Sequence, residues 1–242
     1  MMKIRQVVLA GLAIAAGAVQ ADGVPGQGTW QSVLQARDLN GDGTVDAYYD
    51  SSRNLSWAAD ADPIGAVSFV SALSWVMALN LHGVSGWRLP DLKSVSGGAP
   101  TCDNGYSYDG SGDCGYNVDP ALSELAHMYQ VVLGNLPYAD RLGQVAQPGW
   151  GLSNTGPFRN LVDGDYPTSV TTSYQGTPYV WLFETHWGYQ DSGLAEPAGF
   201  HAWAVHDGDV TAAVPEPGSW ALLLAGAVLL VARRRGASPS AR

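Results

Sequence analysis

The chain has 242 residues, a formal net charge of −10 and an aromatic fraction of 10%. Between Asp22 and Ala213 it carries 21 acidic residues against six basic ones, a net charge near −15. So acidic a surface repels nucleic acid and anionic lipid headgroups, which excludes both as partners. A segment of about 190 residues suits one domain with a sizeable core. The 30 glycines, nine tryptophans and 11 tyrosines predict a loop-rich extracellular module.

The N-terminal segment has the pattern of a secretory signal peptide. Lys3 and Arg5 precede an apolar stretch over residues 7–19, and Ala18-Val19-Gln20-Ala21 fits the small-x-small rule for cleavage. The alternative is an N-terminal anchor helix. We expect residues 1–21 to be removed after Ala21, so that the mature chain begins at Asp22.

Short strands are predicted at residues 29–35, 45–49 and 54–58, because β-branched and aromatic residues there are bounded by turn signals. The turn between the first two resembles the start of a calcium loop, with glycine at its sixth position. Its candidate oxygen ligands are Asp38, Asn40, Asp42, Thr44 and Asp46. Tyr49 stands where such a loop has its bidentate acid, so an ordinary Asx-rich hairpin turn is the alternative.

Two helices follow in the chain. Apolar residues recur near helical spacing over residues 64–81, before Gly83. Asp119-Pro120 supplies an N-cap and a proline at the first helical position for a second helix that runs to Gly134. Further strands are predicted at residues 179–184 and 200–205.

The two cysteines, Cys102 and Cys114, lie in one loop rich in Gly, Asp and Tyr. An even number of cysteines in an exported chain favours a disulfide that closes this loop, and free thiols are the alternative. A metal site would need further Cys or His residues at close spacing, and none is present.

The C-terminal region combines three parts in order. They are the motif Val214-Pro215-Glu216-Pro217, an apolar run at residues 220–232 and the basic cluster Arg233-Arg234-Arg235. As a helix, residues 218–232 would span roughly 22 Å, less than the roughly 30 Å of a bilayer's hydrocarbon core. A buried core helix is the alternative. The run is terminal, lacks a polar face and ends in arginines, which stay on the cytoplasmic side of a membrane.

This combination resembles the PEP-CTERM sorting signal that exopolysaccharide-producing Gram-negative bacteria attach to surface proteins. The resemblance implies export through the secretory translocon, cleavage by signal peptidase and transient anchoring in the inner membrane by residues 214–235. An exosortase would then process the chain near Pro215, leaving it on the cell surface or in the extracellular matrix. Residues 236–242 would be a cytoplasmic tail.

The segment at residues 22–213 contains Gly86-Trp87-Arg88-Leu89-Pro90-Asp91 and ends near Phe200-His201-Ala202-Trp203-Ala204-Val205. With Ala47-Tyr48-Tyr49-Asp50, Asn54-Leu55-Ser56-Trp57 and Ser123-Glu124-Leu125-Ala126-His127, these motifs resemble the W-R-L-P domain family. That family includes the C-terminal domain of collagen-like bacterial adhesins. The resemblance implies an α+β module related to C-type-lectin-like and sulfatase-modifying-factor folds, with two helices and small antiparallel sheets. In such a module Trp87 fills the core, Arg88 pairs with a buried carboxylate or with carbonyls, and Pro90 ends a strand.

Motifs for catalysis are missing from the sequence. The five histidines form no close metal-binding pair, and no nucleophile elbow or phosphate-binding glycine loop is present. We therefore expect a non-enzymatic protein that binds glycan, exopolysaccharide or other matrix material. Trp150, Trp181, Trp187 and Tyr189 are the candidates for stacking on sugar rings, with core packing as the alternative. A polysaccharide hydrolase using acidic pairs such as Asp60 with Asp62 or Asp163 with Asp165 is one rival, and a matrix component without a ligand is another.

Overall fold

The computed structural model describes residues 23–102, 105–196 and 198–211. This part of the chain is an α+β fold with two antiparallel sheets of four strands each, which confirms the predicted class. In the order β1-β2-β3-β8, the first sheet contains β1 (Leu34–Arg37), β2 (Ala47–Asp50), β3 (Leu55–Ala58) and β8 (Val205–Asp207). In the order β4-β7-β6-β5, the second sheet contains β4 (Gly115–Tyr116), β7 (Tyr189–Leu194), β6 (Thr177–Glu184) and β5 (Asp165–Tyr174).

The first sheet joins the two ends of the domain. β3 pairs with β2 on one side and with the last strand, β8, on the other. All four residues of β3 are buried, which accounts for the unbroken run Leu55-Ser56-Trp57-Ala58 where a half-exposed strand would alternate polar and apolar residues. The pairing of Trp57 with Val205 places residues 148 positions apart in one register.

The first predicted strand, at residues 29–35, is wrong in its first half. Residues Trp30–Val33 form a single helical turn, α1, and only then does β1 begin. The N–H groups of Ser32 and Val33 both donate to the Thr29 carbonyl, while the Thr29 N–H donates to Val132 at 2.9 Å. A tertiary contact therefore holds Thr29 where its carbonyl starts a helical turn, although its neighbours have strand-forming side chains.

The predicted helix at residues 64–81 is correctly located and too long. Helix α2 spans Phe69–Ala78 and begins at the N-cap Ser68, whose side chain accepts a hydrogen bond from the Ser71 N–H. Val67, which the pattern placed inside the helix, instead makes an isolated β-bridge with Phe200. Helix α2 buries Phe69, Ala72 and Val76, the i, i+3, i+7 stripe of an amphipathic helix.

The second helix starts four residues later than Asp119-Pro120 predicts. Its N-cap is Ser123, which accepts a hydrogen bond from the Ala126 N–H, and α3 (Glu124–Ala126) continues as a π-helix over His127–Val132. Asp119 caps only a local turn, because its side chain accepts from the Ala121 N–H at 2.8 Å. Ser123 forms a β-bridge with Leu92, and this non-local pairing keeps the preceding backbone extended.

The strand predicted at residues 200–205 is present only at its end. Phe200 forms single bridges to Val67 and to Asp165, and regular pairing begins at Val205. The intervening Trp203 is buried in the main core, where its indole N–H donates to the Ala58 carbonyl at 2.9 Å. The strand predicted at residues 179–184 is confirmed as most of β6.

Buried aromatic rings pack against one another in the main core. Trp57 and Trp203 lie 4.6 Å apart between ring centroids, and Phe158 packs edge-on against Trp203 at 4.8 Å. A second, smaller apolar cluster contains Leu92, Cys114 and Trp181. The second sheet therefore has a packing centre of its own beside the cysteine loop.

The export and sorting signals lie outside the described residues. These are the signal peptide at residues 1–21 with its cleavage site Ala21-Asp22, the motif at residues 214–217, the apolar run at residues 220–232 and the arginines at 233–235. Within residues 23–102, 105–196 and 198–211, no helix has the length and apolarity needed to cross a membrane.

Candidate functional site

The W-R-L-P segment has a structural role. Trp87 is 3% exposed and Leu89 is 1% exposed. The Arg88 guanidinium donates two hydrogen bonds to the Glu124 carboxylate, both at 2.8 Å, and a third to Asp207 at 2.5 Å. The hydrogen bonds that Arg88 donates to Glu124 raise the pKa of Arg88 above its ordinary value. Arg88 thus pairs with a partly buried carboxylate, as predicted, and it connects α3 to β8.

The Asp-rich turn satisfies its own oxygens. Asp38 accepts hydrogen bonds from the N–H groups of Gly41 at 2.7 Å and Gly43 at 2.8 Å, and Asp42 accepts from Thr44 at 2.7 Å. These N–H groups lower the pKa of Asp38, the Gly43 bond being the largest cause. Asp46 accepts from the Leu39 N–H at 2.8 Å. The geometry is that of linked Asx turns, and calcium binding by Asp38, Asn40, Asp42, Thr44 and Asp46 stays a prediction.

Among the described residues, one group of Cys, His, Asp or Glu brings three possible metal-ligand atoms within 4.8 Å of one another. It contains Cys102, Cys114 and Asp191. The two cysteines are joined in a disulfide with their Cα atoms 5.3 Å apart, as the sequence predicts. A disulfide sulfur is not the thiolate that binds metals. The two cysteines therefore serve to close the loop.

Asp113 organises the cysteine loop from within. Its side chain is buried, and it accepts hydrogen bonds from the Val95 N–H at 2.7 Å, the Ser94 hydroxyl at 2.7 Å and the Thr101 N–H at 3.0 Å. At Gly115, beside Cys114, φ is 122° and a Cβ atom would overlap the Ser107 backbone. These contacts fix the loop to the segment that precedes it and bring its two halves close together.

A cavity of about 480 Å³ lies between this loop and the second sheet. Its size falls in the range of small-ligand sites. Hydroxyl groups and aromatic rings dominate the lining, which contains no charged residue among those that the structure describes. The lining residues are Ala99, Pro100, Thr101, Cys102, Thr172, Ser173, Tyr174, Tyr179, Trp181 and Ser192.

Trp181 lines the cavity from the middle of β6. The residue is 1% exposed, and its indole N–H is buried without a hydrogen-bond partner among the described residues. A buried donor without a partner costs about 1–3 kcal/mol. Trp181 pairs in register with Ser192, and Tyr179 pairs with Thr172, so the antiparallel register brings rings and hydroxyls together in the cavity wall.

A set of contacting aromatic rings, the aromatic array, lies at the end of the second sheet opposite the cavity and on the neighbouring loops. Trp150 and Trp187 stack with centroids 5.1 Å apart and an interplanar angle of 5°, and Tyr138 meets both edge-on at 4.8 Å. The array continues from Tyr138 through Tyr116 and ends at three more rings. Its members are Tyr106, Tyr108, Tyr116, Tyr138, Trp150, Trp187 and Tyr189. Tyr106 and Tyr108 are exposed, and the other rings are half-buried.

Of the four aromatic residues singled out in the sequence, Trp150, Trp187 and Tyr189 belong to this array. Trp181 is buried in the smaller core cluster, as the packing alternative requires, and it also forms part of the cavity wall. The sequence analysis missed Thr172, Tyr174 and Tyr179. The run Thr171-Thr172-Ser173-Tyr174, followed within a few residues by Tyr179, could have indicated a hydroxyl-rich hairpin.

Three of the four carboxylates in the acidic pairs considered for hydrolysis contact other side chains. Asp62 lies 2.9 Å from His201, Asp163 lies 3.2 Å from His186, and Asp60 accepts a hydrogen bond from Asn160 at 3.0 Å.

A different pair of carboxyls does meet at the start of β5. Asp165 is the cross-strand partner of Glu184. Burial, and then the neighbouring Asp165, raise the pKa of Glu184 to about 7, and burial also raises the pKa of Asp165. Glu184 is the cross-strand partner of Tyr189 of the aromatic array.

The histidines contact neighbouring side chains, as expected for packed residues. His127 Nε2 lies 3.2 Å from the buried Asp50 carboxylate and 3.1 Å from the Ser52 hydroxyl. A Ser-His-Asp triad needs the serine and the carboxylate on opposite ring nitrogens. Here both contact the same nitrogen, so the cluster connects β2 to the π-helix without the geometry of a triad.

The fold and the cavity define a class, an α+β module in which a disulfide-closed loop and a small antiparallel sheet enclose a hydroxyl-rich and aromatic site. No family model, curated protein or solved structure matches the chain.

Proposed function

We propose that this protein is an exported surface or matrix component whose ectodomain binds a glycan in the cavity beside the cysteine loop. The observation that carries the proposal is the lining, in which six hydroxyl-bearing side chains lie beside the buried Trp181. A sugar in the cavity presents hydroxyl groups that can exchange hydrogen bonds with Thr172, Ser173 and Ser192. Its apolar ring faces suit Tyr174 and Tyr179.

The proposed fold within the α+β class is C-type-lectin-like, related to the W-R-L-P domains. The small sheets, the two longest helical segments and the long loops support this assignment. So does the role of Trp87 and Arg88, which stabilise the interior and leave the binding surface to the loops and the second sheet.

The proposed route is secretion with the signal peptide at residues 1–21, followed by exosortase processing at the signal over residues 214–235. Both assignments rest on sequence motifs. An acidic module with one closed disulfide suits an oxidising extracellular environment. An exosortase substrate of this kind would meet the exopolysaccharide that its own cell exports.

The proposed glycan site is tested by a glycan array probed with the mature protein released from cells, with and without calcium. Tyr179→Phe removes one hydroxyl from the lining and keeps the aromatic ring, and we expect it to weaken glycan binding about tenfold, the loss of roughly one hydrogen bond. Tyr49→Phe is the matched control, because Tyr49 is also half-buried and carries a hydroxyl, but it does not line this cavity. No signal on the array under either condition would refute the proposal.

The second candidate function is polysaccharide hydrolysis. One observation favours it, the cross-strand pairing of Asp165 with Glu184. A carboxyl with a pKa of about 7 is protonated in part at neutral pH and could serve as a general acid. Release of reducing ends from polysaccharide by the wild type, abolished in Glu184→Gln, would establish this activity. The same release by both proteins would exclude Glu184 as the acid.

A further inference from the structure

We infer that the outer face of helix α2 is an interface at which two copies of this chain associate. No residue of α2 lines the cavity beside the cysteine loop. The interface is therefore separate from the proposed glycan site and needs no ligand to form.

Helix α2 is apolar on more than one side. One stripe of its residues is buried in the main core. A second row, Val70, Leu73 and Met77, lies on the outside, where these side chains are 62%, 36% and 76% exposed. Their spacing of i, i+3 and i+7 aligns them along the helix, and we call them the outer row. A surface helix ordinarily carries charged or polar residues on its outer face, so the outer row is a surface that a partner covers.

The segment that contains α2 lacks charge. Between Asp62 and Arg88 there is no Asp, Glu, Lys or Arg, and this is the longest such segment of residues 22–213. The domain as a whole has a net charge near −15, so two copies repel each other where their charged surfaces approach. Contact through the outer row brings together segments that add nothing to this repulsion.

A pocket with charged residues borders α2 on another side. Trp75 of the helix lines it together with Asp46, Asp60 and Arg159. At 3.6 residues per turn, Trp75 lies roughly 150° around the helix from the outer row. A partner seated on the outer row therefore approaches α2 from a different direction than these charges.

Symmetry makes a second copy the partner that fits. A two-fold dimer brings the same patch of both subunits together. A charged patch repels its own copy, whereas an apolar row is complementary to itself. The outer row has the spacing of positions a, d and a of a heptad, through which two helices pack side by side. Two α2 helices opposed in this way bury each other's outer rows.

The dimer is expected to be weak. A helix of 10 residues is about 15 Å long, so the contact falls below the roughly 1,200 Å² of a standard interface. Association of this kind depends on concentration and suits a protein accumulated in a matrix. If each copy also binds glycan as proposed above, the dimer can hold one polysaccharide at two points or join two chains.

The experiment is sedimentation equilibrium of the mature wild-type protein from micromolar to millimolar concentration, at about 0.02 M and about 0.5 M NaCl. We expect a monomer–dimer equilibrium that is about fivefold tighter at the higher salt, because screening removes the repulsion between copies and leaves the apolar contact. Met77→Glu should weaken the dimer about tenfold or more, since it places two like charges in the interface. Leu142→Glu is the matched control and should leave the dimer unchanged at the higher salt, because it adds the same charge at an 82% exposed leucine outside α2.

A protein that stays monomeric over the whole range overturns the interface and leaves the proposed glycan site in place. A dimer that Met77→Glu leaves intact, or one that loosens as salt rises, overturns the assignment to α2. Flotation of the wild type with neutral phosphatidylcholine vesicles, lost in Met77→Glu, would assign the outer row to a membrane instead and overturn the inference. Val70→Thr, which keeps the side-chain shape and adds a hydroxyl, should loosen the dimer about threefold, and it decides the question if Met77→Glu fails to fold.

Discussion

The two sheets use aromatic residues in opposite ways. In the first sheet and its neighbours, Trp57, Trp203 and Phe158 are at most 2% exposed, and they pack against one another in the main core. Around the second sheet, Trp150 and Trp187 stack at the surface, and Trp181 borders a cavity. The same residue types thus stabilise one region and remain available for contact in the other.

The difference follows from what covers each sheet. The first sheet receives the last strand of the domain and the segment around Trp203, and all four residues of β3 are buried. Two loops approach the second sheet instead, one closed by the disulfide and one carrying Trp150. Loops cannot cover a sheet as evenly as secondary structure does, so concave and half-exposed surface remains there.

The largest effect is expected from removing the buried charge of the first sheet, and this change tests the division of roles between the two sheets. Asp50→Asn should lower the free energy of unfolding by about 3 kcal/mol, because it leaves His127 without its buried carboxylate partner. Burial tends to raise the pKa of Asp50, but His127 and Ser52 outweigh it and lower that pKa. The wild type should therefore lose stability as pH falls through the depressed pKa, and the variant should not show that loss.

Urea unfolding from pH 3 to pH 7 measures this effect, with the exposed Glu196→Gln as control. Glycan binding by the folded fraction of Asp50→Asn should equal that of the wild type. A loss of binding without a loss of stability would contradict the division of roles between the two sheets.

Removing the disulfide is the corresponding test for the second sheet. Replacing Cys102 and Cys114 together by serine should cost about 3 kcal/mol, as the loop-closure argument gives for a ring of this size. Because Cys102 lines the cavity, we expect glycan affinity to fall as well. Thermal unfolding with and without reductant, followed by glycan binding at a temperature where the variant is folded, separates the two effects. Unchanged affinity would show that the loop does not shape the cavity.

An intermediate loss of stability is expected at Arg88, which connects α3 to the first sheet. Arg88→Met should destabilise the domain by about 2 kcal/mol, because Glu124 and Asp207 lose their hydrogen-bonded partner. Arg88→Lys should recover part of this, since an ammonium group cannot bind Glu124 with two parallel hydrogen bonds. Urea unfolding of the three proteins gives the order. Equal stability of all three would contradict a structural role for the W-R-L-P segment.

The smallest effect is expected at Glu184, beside the aromatic array. Its folded-state pKa of about 7 lies above the value for an unfolded glutamate, so the folded state holds its proton more tightly. Stability should therefore fall as pH rises from about 4.5 through 7. The group is half-exposed, and solvent screening limits the change to about 1 kcal/mol. Glu184→Gln should remove this dependence, while Glu196→Gln, at an exposed site, should preserve it. Unfolding free energies from pH 4 to pH 8 provide the check.

Local patterns in the sequence predicted much of the fold. The apolar run at residues 179–184 and the apolar stripe of α2 survive in the structure because both are buried, the run on both faces of its strand and the stripe on one face of its helix. The boundaries failed wherever a distant partner pairs with the backbone. Val67 bridges Phe200, Ser123 bridges Leu92, and Thr29 donates to Val132. No local pattern contains those contacts.

The candidate site was predictable only in part. Trp150, Trp187 and Tyr189 could be selected as aromatic residues in polar surroundings, and the structure brings them into one array. The cavity was not predictable, because its wall comes from residues near 100, 173, 180 and 192. The neighbouring carboxyls Asp165 and Glu184 were missed for the same reason, since cross-strand register brings them together.

The resemblance of the sequence to the W-R-L-P domains implied the α+β class. Composition and the spacing of residues within short segments predicted the acidic surface, the pairing of the two cysteines, and export and sorting. These features depend on each residue's own chemistry and on its near neighbours. Only the tertiary structure decided that Trp181 is both a core residue and part of a cavity wall, and that Arg88 binds Glu124. It also decided that seven rings form one array. Those outcomes depend on strand register and loop placement, which are set by the burial of the whole chain.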